Sequence, residues 1–132
     1  MTTTTEGKTK HIDELHFEHQ LWLSEAKFYA DELKVYQNRL AEVASKNTKP
    51  EVTKQIEHFQ NKFIIQKEQL DILNHEVNEH EQWLAKYSKE YPVAVDHVLF
   101  ADHKKMHENM ERFDKIYAEL KNEFKRFLSV WM

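Results

Sequence analysis

Nine histidines in a chain of 132 residues, with no cysteine beside them, make imidazole the main chemical resource of this sequence. Several of them stand at spacings that place two side chains on one face of a helix: His16 with His19, Glu76 with His80, and His103 with His107. Imidazoles and carboxylates converging from facing helices are the means by which helical bundles hold zinc, iron or manganese. The candidate metal ligands are His19, His80 and His103, with Glu76 or His107 as a fourth ligand and His16 at the edge of the set. The plainer role for each histidine is a core residue hydrogen-bonded to a neighbouring Tyr, Glu or backbone group. Clustered imidazoles in a core would also resist protonation, because burial disfavours the charged form.

The elements that must position these residues are helices. A single Gly and two Pro leave almost nothing for hairpins or phosphate-cradling loops, which argues against sheets, Rossmann units and P-loop enzymes. Residues 1–9, rich in Thr, lack apolar periodicity and read as a flexible tail, leaving 10–132 as one helical domain. From Ile12 the positions Leu15, Trp22, Ala26, Tyr29, Leu33, Tyr36, Leu40 and Val43 follow the 3,4 spacing of a heptad seam, with His19 filling a step. The run Ser45–Pro50 ends this first helix, spanning about 10–46, and Thr48 with Glu51 reads as a capping box for the next. A second helix, about 50–89, carries Ile56, Phe59, Phe63, Gln66, Leu70, Leu73, Val77, His80, Leu84 and Tyr87 on the same spacing. A third, about 92–131, opens at Pro92 and carries Leu99, His103, Met106, Met110, Phe113, Tyr117, Leu120, Phe124, Phe127 and Trp131.

Helices of roughly 35–40 residues, about 55 Å long and joined by short connections, imply an all-α, antiparallel up-down-up three-helix bundle with coiled-coil-like seams. That topology supplies a register. A first turn centred on about 48.5 brings His19 opposite about position 78, and a second centred on about 91.5 brings His80 opposite His103. The three seam histidines therefore share one cross-section, with Glu76, His107 and Trp22 in the adjacent layer.

Charge and composition exclude several functions. The net charge is -4, with basic and acidic residues interspersed along the chain, so no patch is built for nucleic acid. No apolar run approaches the roughly 18 residues of a membrane span, and with no cysteine the expected compartment is the cytoplasm. Nothing in the spacing supports a Ser-His-Asp arrangement, and no cysteine nucleophile exists, so no enzymatic constellation stands out. The paired Glu-x-x-His motifs of ferritin-like bundles are absent, the nearest approach being Asp13-x-x-His16. His19, His75 with Glu79, and His103 with His107 follow the order of hemerythrin ligands, but no histidine comes after His107 to complete that set, so no family is assigned.

A second apolar feature lies off the seams: Phe17, Leu21, Phe28 and Val35 on the first helix, and Ile65 and Ile72 on the second. Leu21, Phe28 and Val35 recur every seven residues, which makes a stripe suited to a homodimer or another protein partner. Two functions follow from the sequence. The first is a non-enzymatic bundle acting by protein–protein association through that stripe. The second is a bundle metalloprotein whose histidine and glutamate layer holds zinc, iron or manganese.

Overall fold

The computed structural model describes residues 12–90 and 97–132, and all regular structure among them is helical: α1 (Ile12–Lys46), α2 (Pro50–Glu90) and α3 (His97–Trp131). The chain is an all-α three-helix bundle, and no described helix is long and apolar enough to cross a membrane. The expected tail 1–9, the expected start of the first helix at residue 10 and the expected opening of the third at Pro92 fall outside the described residues. Buried side chains recur along each helix at three- and four-residue steps, which is the burial of one stripe per helix that the sequence pattern requires.

The α1–α2 connection corrects one local expectation. The first amide hydrogen bonds of α2 run from Val52 N and Thr53 N to the carbonyl of Lys49, at 3.1 and 3.0 Å. Lys49 is therefore the capping position, and the Thr48–Glu51 capping box is out of register by one residue. Pro50 explains the shift: its fixed φ and missing N–H suit the first helical position, so the cap must be the residue just before it.

Packing divides the chain into two compact units, one comprising Met1–Ala26 with Ile72–Glu111, the other Lys27–Asp71 with Arg112–Met132. All three helices contribute to each unit. The first is cored by Leu15, Trp22, Ala26, Leu73, Val77, Leu84 and Met110, with His19, His80 and His103 buried among the apolar side chains. Ile12 and Tyr87 pack against the Leu15–Leu84 contact. Trp83 is 43% exposed.

The second unit is cored by aromatic rings. Phe63 meets Phe124 edge to face with ring centroids 4.9 Å apart, and Phe59 lies 5.1 Å from Phe124 and 4.9 Å from Phe127. These are the separations at which aromatic pairs add to simple area burial. Beside them sits a polar knot. Tyr117 Oη donates to Glu32 Oε1 at 2.6 Å, Lys121 Nζ donates to Glu32 Oε2 at 3.0 Å, and Tyr29 Oη donates to Asp114 Oδ1 at 3.2 Å. Burial alone would raise the pKa of Glu32, but the hydrogen bonds from Tyr117, Lys121 and Tyr36 and the Lys121 charge outweigh it and hold the carboxyl below its ordinary value. Burial, and then the same Glu32 contact, push the Tyr117 phenol far above its usual pKa, so its proton stays in the bond.

A carboxyl whose folded pKa is depressed contributes stability above its unfolded pKa, and that contribution is lost as pH falls through the folded value. Glu32→Gln should therefore flatten the acid limb of a urea-denaturation series between about pH 6 and pH 3. Tyr117→Phe, which removes the buried donor, should cost about 1–3 kcal/mol at neutral pH. Equal pH slopes in wild type and Glu32→Gln would remove Glu32 from the stability balance.

Candidate metal centre

The three seam histidines arrive in the core of the first unit from three different helices: His19 from α1, His80 from α2 and His103 from α3. Each replaces an apolar side chain in its helix's buried stripe, and the three are only 0%, 7% and 2% exposed. Ring centroids lie 4.9 Å apart for His19 and His80, 5.1 Å for His19 and His103, and 6.0 Å for His80 and His103. One nitrogen from each ring falls within 4.8 Å of the other two. Trp22 stacks on the His103 ring at 4.9 Å and lies 5.8 Å from His19, which closes one side of the cluster with an apolar wall.

Two carboxylates fix which nitrogens point where. Glu81 Oε1 lies 2.6 Å from His19 Nδ1, and Glu18 Oε1 lies 2.7 Å from His103 Nε2. An ionised carboxylate can only accept, so His19 carries its proton on Nδ1 and His103 carries its proton on Nε2. In neutral imidazoles the opposite nitrogens, His19 Nε2 and His103 Nδ1, then present bare lone pairs. Those two atoms face one another across 3.3 Å. His80 Nε2 is buried as well and has no hydrogen-bond partner among the described residues.

Facing lone pairs repel unless an electrophile lies between them, either a proton or a metal cation. A proton there makes an N–H···N hydrogen bond, and the 3.3 Å contact lies within hydrogen-bonding reach. A tetrahedral ion with nitrogen ligands at about 2.0–2.1 Å holds them roughly 3.3–3.4 Å apart, a spacing the same contact also fits. Burial, and next the nearby His19, lower the pKa of His80, while Asp102 and Glu81 pull it the other way; the net direction is downward, which favours the neutral form.

The other residues marked out by the sequence take different places. His16 is half-exposed and pairs through Nδ1 with Glu81 Oε2, so Glu81 bridges His16 and His19. Glu76 lines an open cleft together with His80 and is itself exposed. His107 is half-exposed, with Nε2 3.2 Å from Glu111 Oε1 and its ring 6.1 Å from Trp22. Among the described residues the converging group consists of His19, His80 and His103; neither Glu76 nor His107 joins it as a fourth ligand. The buried stripe steps back three residues from His80 to Val77 and on seven from His103 to Met110, so Glu76 and His107 fall one position to its side and face solvent. His75 and Glu79 pair with each other at 3.2 Å in solvent.

Sequence reasoning missed Glu18 and Glu81. Each adjoins a seam histidine, Glu18 before His19 and Glu81 after His80, and positions flanking a seam reach across to the neighbouring helix. That adjacency was the available signal; which histidine each carboxylate serves is decided across helices, not along one. No protein-family model matches this chain, and neither the curated proteins nor the solved structures yield a match.

The tautomer assignment has a direct test. Long-range nitrogen–proton correlation spectra at neutral pH should show His19 as the Nδ1–H form and His103 as the Nε2–H form. The reverse tautomer at either ring would turn its proton inward and dissolve the lone-pair convergence.

Proposed function

We propose that this chain binds a divalent transition-metal cation through His19 Nε2, His103 Nδ1 and His80 Nε2. The observation that carries the reading is the convergence of one nitrogen from each of three buried histidines, with His19 Nε2 and His103 Nδ1 3.3 Å apart. Two further features support it. Glu81 and Glu18 orient the two imidazoles from behind, which is the carboxylate–histidine–metal relay that fixes ligand tautomers and raises ligand basicity. The same two carboxylates bring two negative charges to neutral imidazoles, and a divalent ion balances them.

Three neutral imidazoles without thiolate suit zinc and its neighbours rather than calcium or magnesium, which prefer oxygen. Three protein ligands leave a tetrahedral ion one position for water or an exogenous ligand. Protein purified without added metal or chelator should carry near-stoichiometric zinc, iron or manganese per chain by elemental mass spectrometry. Chelator should lower the melting temperature, since an ion at 100 times its Kd adds about 2.7 kcal/mol to the folded state. His80→Ala should abolish retention. Full stoichiometry in that variant, or no uptake by wild type from buffered metal, would overturn the assignment.

A second reading, association of two copies of the chain, is supported by apolar exposure. Phe28 and Val35, one heptad apart on α1 in the second unit, are 56% and 51% exposed, and Ile65 in the same unit is 49% exposed. Phe17, Leu21 and Ile72 are exposed as well. Phe28→Lys should then give a folded protein of half the mass in light scattering, whereas the same mass for both proteins would remove this stripe from consideration.

A further inference from the structure

Beside the histidine cluster, in the same unit, α2 and α3 bound an open cleft of about 380 Å³. Glu76, Glu79, Asp102 and Lys105 line it along with Trp83 and His80. Three carboxylates against one ammonium make this lining net negative, and all four charged residues are solvent-exposed. Exposed acids alone signify little, since charged helices carry many. What distinguishes this cleft is His80, which lines it although only 7% exposed, and whose buried Nε2 has no hydrogen-bond partner among the described residues.

His80 differs from the other two ligands in a second way. Glu81 pins His19 and Glu18 pins His103, each through the ring nitrogen that faces away from the cluster. Among the described residues no carboxylate is hydrogen-bonded to His80 in this way. Its two faces also differ: it meets His19 edge-on at 4.9 Å inside and Trp83 at 6.1 Å on the cleft side.

We propose that this cleft is the port through which a divalent cation reaches the three-histidine cluster, gathered by Glu76, Glu79 and Asp102 and taken first by His80. The inference rests on the metal-binding reading given above. A cation entering the negative cleft loses part of its hydration to carboxylate oxygens, passes to His80, and completes its coordination on the pre-oriented nitrogens of His19 and His103. Lys105 opposes the approach. A cleft lined by one sign of charge raises the local concentration of the opposite ion and hence its association rate, and the effect weakens with salt.

Stopped-flow mixing with Co²⁺, followed by the visible absorption that appears on imidazole coordination, separates the port from the site. The variant Glu76→Gln/Glu79→Gln/Asp102→Asn should bind Co²⁺ at unchanged stoichiometry but about tenfold more slowly at low ionic strength. Lys105→Ala, a single exposed change that leaves the carboxylates in place, should bind faster. Both differences should shrink in 0.5 M salt. Identical rates for all three proteins, with wild type taking up Co²⁺, would overturn the port and leave the metal centre standing. No uptake by wild type would overturn both. Loss of equilibrium affinity from Glu76→Gln alone, with an unaltered association rate, would make Glu76 a ligand and overturn the port.

Discussion

His19 Nε2 and His103 Nδ1 meet 3.3 Å apart in an almost wholly buried cluster of three imidazoles, and burying polar nitrogens together is costly unless each finds a partner. Much of the first unit is arranged around that constraint. Glu81 and Glu18 hold the rings from behind, and Trp22 covers one side. Leu15, Leu84, Val77 and Met110 supply an apolar surround in which polar interactions are strengthened. The carboxylates are partly exposed, at 20% and 25%, so their own desolvation cost stays moderate while they fix the tautomers of rings that are almost wholly buried.

The orientation of these rings is therefore set in two stages. Helix geometry delivers three Cβ atoms to one region of the core, and charge then decides which way each ring faces. His80 stands apart in the second stage. Among the described residues its buried Nε2 has no hydrogen-bond partner, and it borders an acidic cleft.

The second unit uses the same helical spacing to another end. Phe59, Phe63, Phe124 and Phe127 interlock where the first unit has histidines, and the polar Glu32–Tyr117–Lys121 contact lies at the margin of that aromatic packing. Here the ionised group is satisfied on both oxygens by donors from α3. A fully paired charge of this kind contributes specificity of alignment between helices rather than large net stability. His58, the histidine in this unit, pairs with Glu123 in solvent and joins no cluster.

Much of this was legible in the sequence, because burial along a helix follows a period that residue types display directly. The 3,4 recurrence of Leu15, His19, Trp22 and Ala26, and its counterparts through His80 and His103, specified three helices and which face of each is buried. The scarcity of Gly and Pro located the breaks, although Pro50 itself moved the α2 cap to Lys49. The meeting of His19, His80 and His103 was also accessible from the register expected of an up-down-up bundle. What only the tertiary structure decided was the placement of side chains at the edges of the seams. Glu76 and His107 share a helix face with a buried histidine yet turn to the surface, while Glu81 and Glu18 reach across to histidines on other helices. Periodicity fixes the direction of a Cβ to within a fraction of a turn; a hydrogen bond requires atoms placed to within a few tenths of an ångström, and that precision comes only when the neighbouring helix is in place.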